Sequence, residues 1–175
     1  FGDDAAGLLR TSMRSKALRS IWNRKRSTRG RSSTFVPEDF EVRSEAAYAV
    51  GKDLTIITYG NTTHLCLNVA ELLYKEKGWE LEVIDLRTLI PLDKEAIFNS
   101  VKKTSNIDRH EDKVFSGFGA EIAGIIGSEL FQYLDAPIQR VGSLFTPVGF
   151  HPVLERAILP NEETIYHAAK ELLLY

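Results

Sequence analysis

The stretch His110–Gly124, HEDKVFSGFGAEIAG, holds three glycines, three acidic residues and a histidine within fifteen residues. A glycine-rich turn before a helix can cradle a phosphate, and acidic residues beside a histidine can bind a divalent metal ion. A turn that carries a buried strand into a helix can have the same composition. Which of these three structures the stretch forms decides most of the functional interpretation.

The phosphate-binding motifs in this stretch are incomplete. A dinucleotide fingerprint needs Gly-x-Gly-x-x-Gly after a strand; Gly117 and Gly119 fit, but Ile122 stands in the third position. A Walker loop needs Gly-Lys-Ser/Thr, and this tripeptide is absent from the sequence. We therefore predict that Gly117 and Gly119 form a tight turn and helix entry. Ala120 and Gly124 would let that helix pack closely on the sheet. An anion could still bind to free backbone N–H groups at the start of this helix, and this alternative is kept.

A metal site is the second hypothesis for this stretch. Asp108, His110 and Asp112 would share one face of an extended segment and together could bind a divalent ion. The same alternation of polar residues is typical of a solvated loop, and Glu111 would point away from the other three. We favour the loop.

Nucleophilic catalysis has little support in the sequence. Cys66 falls on the apolar stripe of a predicted helix, which indicates a buried structural thiol, and His64 faces elsewhere. No serine stands in Gly-x-Ser-x-Gly. His151 lies in a proline-rich loop and His167 on the polar side of the last helix, so both are predicted at the surface. The residues alone predict an α/β domain without a complete active site.

The composition is that of a folded domain with an extension. Of 175 residues, 43% are apolar and 26% charged, and no apolar run approaches the roughly 18 residues of a membrane span. One cysteine excludes an intrachain disulfide and fits a reducing compartment. The sequence begins at Phe1 without a charged-then-apolar leader, so we expect no secretory signal and a possible fragment.

Charge divides the chain into two regions. Residues 1–35 carry nine Lys/Arg and two Asp, whereas the remainder carries 13 basic and 22 acidic residues. The opening DDAAGLLRTSMRSKAL has helical spacing, and Ile21–Ser33 is rich in Arg, Lys and Ser. This basic arm is either a solvated linker, which we favour, or a nucleic-acid-binding segment that uses Trp22.

The elements that position these residues alternate between strand and helix. LTIIT, WELEVIDL and PIQRVG are predicted strands, and each intervening segment has helical spacing. Asp93 and Asn161 are predicted to cap helix starts and Gly78 to end a helix. The alternation of strands and helices requires a further strand at TSNIDR, although this segment holds only one apolar residue. SLFTPVGFHP is predicted as an irregular loop. This order predicts a parallel sheet with helices on both faces.

Five segments together carry a family resemblance over about residues 36–175. They are similar to the C-terminal, transketolase-type domain of the β subunit of a 2-oxo acid dehydrogenase decarboxylase component. HED and the closing ELLLY resemble the branched-chain, 2-oxoisovalerate members more than the pyruvate members. The segments are GKDLTIITYGNTTHLCLNVAELL, LEVIDLRTLIPLDKEAIFNSVKKT, HEDKVFSGFGAEIA, LDAPIQRVG and ILPNEETIYHAAKELL.

The resemblance implies a three-layer α/β/α domain with a five-stranded, mostly parallel sheet. It also implies an intact enzyme that uses thiamine diphosphate and Mg²⁺ for oxidative decarboxylation and acyl transfer to lipoamide. In that family the catalytic glutamate and the cofactor site belong to the preceding pyrimidine-binding domain and the α part. Residues 1–35 would then be the tail of the pyrimidine-binding domain plus a basic linker. This chain alone would bind no cofactor and be inactive.

The resemblance further implies an assembly role in a multienzyme complex. The expected partners are the α and pyrimidine-binding parts, in a homo- or hetero-oligomer, and the acyltransferase subunit-binding domain, with neither membrane nor nucleic acid. The implied compartment is the bacterial cytoplasm or the mitochondrial matrix. His110 and Glu111 are expected at the subunit boundary, and Glu171 and Tyr175 near the docking surface. A pyruvate dehydrogenase and a transketolase are the alternatives.

Three departures from the family pattern bear on these expectations. SNIDR replaces an apolar strand, Phe145 precedes Thr146 where the family has an acidic residue, and the arm Ile21–Ser33 does not match. The first departure affects the register of the strand that would hold His110, and therefore the position of this residue.

Overall fold

The computed structural model describes residues 9, 10, 13, 50–105 and 107–175, with the backbone alone over 107–113. Contacts divide the chain into two units, Phe1–Ser44 and Glu45–Tyr175. In the first unit Leu9, Arg10 and Met13 are helical, in agreement with the helical spacing of the opening segment. The basic arm and the predicted domain boundary after residue 35 lie outside the described residues.

Within the described residues four parallel strands form one sheet. They are β1 (Leu54–Thr58), β2 (Leu81–Asp85), β3 (Ile107–Lys113) and β4 (Gln139–Ser143), in the spatial order β2-β1-β3-β4. Every pairing is parallel. The predicted α/β class with a parallel sheet is therefore confirmed. The predicted count of five strands is not, because this part of the chain holds four.

Helices cover both faces of the sheet. One face packs against α1 (Thr62–Lys77) and α5 (Glu162–Leu173), and the other against α2 (Lys94–Thr104) and α3 (Gly119–Glu129). A 3₁₀ turn at Phe131–Tyr133 and the short helix α4 (Pro152–Ile158) complete the elements. Among the described helices, none combines the length and the apolar character needed to cross a bilayer.

Strand β1 divides the core into two clusters. All five of its residues are buried, as expected for a strand with helices on both sides. Leu54 and Ile56 pack with α1 and α5, while Ile57 packs with α2 and α3. Side chains alternate between the two faces of a strand, so a continuous apolar run fills both clusters and produces the three layers.

The predicted helix boundaries agree with the structure. Asp93 Oδ1 accepts a hydrogen bond from the backbone N–H of Ala96 at 3.0 Å, and Asn161 Oδ1 accepts one from Thr164 at 3.1 Å. Gly78 ends α1 in the left-handed conformation (φ 73°), which costs glycine little. These local signals depend on a few neighbouring residues, which is why they are visible in the sequence.

Strand β3 forms even though its sequence, IDRHEDK, is almost entirely polar. It lies between β1 and β4 and hydrogen-bonds to both, with a register shift between His110 and Lys113. Pairing with two neighbours supplies the stability that its composition does not indicate. Helix α4 was not predicted, because its seven residues are too few to show a helical period; His151 Nδ1 accepts from the Val153 N–H at 3.3 Å at its start.

Buried hydroxyl groups join β1 to α2. Thr55 Oγ1 lies 2.7 Å from both Ser100 Oγ and Thr104 Oγ1, and all three residues are buried. At the edge of the same face, Lys103 pairs with the buried carboxylate of Glu82. These buried hydroxyl and carboxylate groups thus all have partners, as their desolvation requires.

Thr55→Val is expected to lower the free energy of unfolding by about 1–3 kcal/mol, because valine keeps the shape but leaves the Ser100 and Thr104 hydroxyls without this partner. Chemical denaturation would measure the change. The exposed Thr146, substituted in the same way, is the control and should shift stability by less than about 0.5 kcal/mol. Equal effects in the two variants would contradict a role for the buried hydroxyl network.

Candidate functional site

Ligand and partner sites of parallel α/β sheets form where the strands end, at the carboxyl edge. In this domain four connections leave that edge, one after each strand. They produce three neighbouring structures of different character: a buried hydroxyl cluster after β1 and β2, a cleft after β3 and β4, and an exposed apolar surface beyond β4.

The hydroxyl cluster holds the start of α1 in place. Thr58 Oγ1 lies 2.7 Å from Thr62 Oγ1, and Thr63 Oγ1 donates to Asp85 Oδ1 at 3.1 Å. All four residues are buried, with Asp85 8% exposed. Because these groups hydrogen-bond to one another, the cluster connects β1, β2 and α1 and stabilises the start of the helix.

The cleft lies beside the turn that leads from β3 to α3 and has a volume of about 500 Å³. Arg140 on β4 is partly buried there, and its Nη2 donates to the carbonyl oxygen of Val114 at 2.6 Å. The rings of Phe115 and Phe145 pack with centroids 4.6 Å apart at 55°. The described lining residues are Val114, Phe115, Ser116, Ala120, Arg140, Gly142, Ser143, Leu144 and Phe145.

The glycine-rich stretch of the sequence is the turn beside this cleft. Gly119 is the first residue of α3 and is buried. The left-handed backbone of the turn lies at Ser116 (φ 58°), and neither Gly117 nor Gly119 has a positive φ. The stretch therefore carries β3 into α3, as predicted, while the positive φ belongs to a serine.

The start of α3 offers few free donors. The backbone N–H groups of Ala120 and Glu121 donate to the carbonyls of Gly117 and Phe118, each at 3.1 Å, and the N–H of Ile122 donates to Phe118 at 3.3 Å. An anion would have to displace these bonds, so the anion site that the sequence left open at this helix start is not supported.

The prediction that Ala120 and Gly124 bring α3 close to the sheet is wrong. Both residues are exposed, and a Cβ added at Gly124 would meet nothing within 4 Å. Gly119, Ile122 and Ile126 are the buried residues of the helix. Their spacing of three and four residues places them on one stripe, away from Ala120 and Gly124.

The residues predicted at the subunit boundary and the metal site lie on β3. His110 is opposite Val141 of β4, and Asp108 is opposite Ile56 of β1 and Gln139 of β4. The side chains of 107–113 are outside the description, so the roles of His110 and Glu111 and the metal hypothesis stay predictions. Among the residues whose side chains are described, no three His, Cys, Asp or Glu form a metal-binding group.

The remaining candidate nucleophiles and bases have structural or surface positions. Cys66 is buried in the core, as predicted. His64, His151 and His167 are exposed, and His151 caps α4, a role that its sequence position did not indicate.

The predicted docking residues lie at the end of α5. Glu171 Oε2 accepts from Gln139 Nε2 at 3.4 Å, and Tyr175 is 81% exposed. On the nearby surface between α1 and α5, the hydroxyl of Tyr166 donates to Glu76 Oε2 at 2.7 Å, and this hydrogen bond raises the pKa of Tyr166. On α1, by contrast, the hydrogen bond that Glu71 accepts from Lys75 lowers the pKa of the Glu71 carboxyl group. Docking at Glu171 and Tyr175 stays a prediction.

An exposed apolar surface follows β4, and we name it the 144–159 surface. Leu144 N donates to the carbonyl of Ile158 at 3.0 Å, which brings the loop back along α4. A Cβ at Gly149 would lie 2.7 Å from Leu154 Cδ1, so a larger residue here would require the Leu154 side chain to shift. The sequence predicts an irregular loop over SLFTPVGFHP, which forms the first part of this surface. Its exposed apolar residues are Leu144, Phe145, Val148, Phe150, Val153, Leu154 and Leu159.

The fold and its carboxyl edge define a three-layer α/β domain built on a parallel sheet. The family described as transketolase, C-terminal domain, matches residues 46–165 of this sequence. The chain belongs to this family.

Curated relatives match most of this chain, but the matched region is only part of each relative. The mitochondrial pyruvate dehydrogenase E1 component subunit beta of Saccharomyces cerevisiae is 45% identical over 125 residues, 70% of this chain and 34% of that protein. The acetoin:2,6-dichlorophenolindophenol oxidoreductase subunit beta of Bacillus subtilis is 37% identical over 147 residues, 79% of this chain and 41% of that protein. The chain thus spans about 34–41% of these relatives.

Solved structures agree with the fold. A split-gene transketolase, described as an inactive beta4 tetramer, has a TM-score of 0.64 and 25% identity, over 82% of this chain and 46% of that one. A transketolase from Pichia stipitis has a TM-score of 0.51 and 16% identity, over 75% of this chain and 18% of that one. The second likeness concerns the fold alone.

Gly119→Val is expected to lower the melting temperature and cost about 1–3 kcal/mol of stability, because a branched side chain must enter a buried position at the start of α3. Thermal unfolding would measure the shift. Gly124→Ala is the matched control on the exposed side of the same helix, where alanine should stabilise by up to about 1 kcal/mol. An unchanged melting temperature for Gly119→Val would refute the helix-entry role.

Proposed function

We propose that this chain is the C-terminal assembly domain of the β subunit of a thiamine diphosphate-dependent 2-oxo acid dehydrogenase. The intact enzyme would decarboxylate a 2-oxo acid oxidatively and transfer the acyl group to lipoamide. The family match over 46–165 and the E1 beta relatives support the enzyme class. The observation that carries the assembly role is the 144–159 surface.

Apolar side chains on this surface indicate a partner. Phe145 is 84% exposed and the Phe150 side chain is fully exposed, both beside further apolar residues of the loop and α4. Several exposed apolar side chains within one short segment are typical of a protein–protein interface. The hydrogen bond from Leu144 to Ile158 and the close approach of Gly149 to Leu154 connect the loop to α4. The proposed partners are the α subunit and the remainder of the β subunit.

The described residues do not suit thiamine diphosphate or Mg²⁺. A diphosphate requires free backbone donors or several cations, but the amides at the start of α3 are engaged and Arg140 is the single cation lining the described cleft. No group of three metal ligands is found among the side chains described. The cofactor and its metal would therefore bind to other parts of the intact enzyme, and this chain would contribute contacts.

Two substrates compete within the proposed class. The segment at His110–Asp112 and the closing ELLLY support a branched-chain 2-oxo acid, which we propose first. Relatives named as pyruvate dehydrogenase subunits, 45% identical in yeast and 40% in Rickettsia felis, support pyruvate as the second candidate. The intact enzyme supplied with 3-methyl-2-oxobutanoate and with pyruvate would decide between them by the ratio of kcat/KM. The proposed compartment is the bacterial cytoplasm or the mitochondrial matrix.

Phe150→Ser combined with Val153→Ser is expected to weaken association with the α subunit at least tenfold, because the two substitutions remove exposed apolar area from the proposed interface. Both side chains are exposed, so the melting temperature of the isolated chain should stay unchanged. Pull-down with the α subunit and analytical ultracentrifugation would measure association. Leu174→Ser, an exposed apolar position on another surface, is the control. Unchanged association of the double variant, or an equal loss in the control, would overturn the assignment.

Docking of the acyltransferase is a separate prediction. Calorimetric titration of this chain with the acyltransferase subunit-binding domain should show saturable, salt-sensitive binding, because exposed charged residues at the end of α5 would contribute. Glu171→Gln should reduce the affinity, while Glu163→Gln at the opposite end of α5 should not. Binding that both variants leave unchanged would place docking elsewhere.

A further inference from the structure

We draw no further inference here: the strongest candidate, the aromatic surface patch at the 3₁₀ turn, where Phe131 is 76% exposed and Lys102 of α2 lies over the ring of Tyr133, is an unpartnered face, and nothing in the described part of the structure shows what covers it.

Discussion

The insertion of β3 between β1 and β4 is the constraint on which the domain depends. Its backbone hydrogen bonds join β1, and through it β2, to β4, and the helices pack on the sheet that results. The strand contributes one apolar residue, Ile107, so its stability comes from pairing on both sides. The same strand ends beside the cleft and precedes the turn into α3. A polar central strand thus determines where the carboxyl-edge structures lie.

Both faces of the sheet combine apolar packing with buried polar groups. The face covered by α1 and α5 holds an apolar cluster that includes Cys66, and the hydroxyl cluster at the start of α1 lies at its carboxyl edge. The face covered by α2 and α3 combines an apolar cluster with the Thr55 hydroxyl network and the Glu82–Lys103 pair. Buried polar groups with fixed partners specify how α2 sits on β1 and β2, since a shift of the helix would leave them unsatisfied.

Local signals in the sequence predicted the parts of the fold that depend on few residues. Asp93, Asn161 and Gly78 marked helix ends, and LTIIT marked a doubly covered strand. The helix α4 and the apolar character of its surroundings were missed because seven residues show no period. The face of α3 was assigned wrongly because small residues suggested close packing, whereas Gly119, Ile122 and Ile126 are the buried ones. The cleft depends on β3 and β4, about 30 residues apart in sequence, so spacing could not reveal it.

The position of α5 in the sequence affects how the domain is made in the cell. Ile165, Ala169 and Leu172 complete the cluster that begins with Leu54 and Ile56 on β1, more than a hundred residues earlier. During synthesis this face of the sheet is covered by α1 alone until α5 has left the ribosome, while the opposite face can already close around α2 and α3. Contacts of such long sequence separation slow folding and expose apolar surface meanwhile. A nascent chain stalled before residue 165 should therefore be a preferred client of ribosome-associated chaperones.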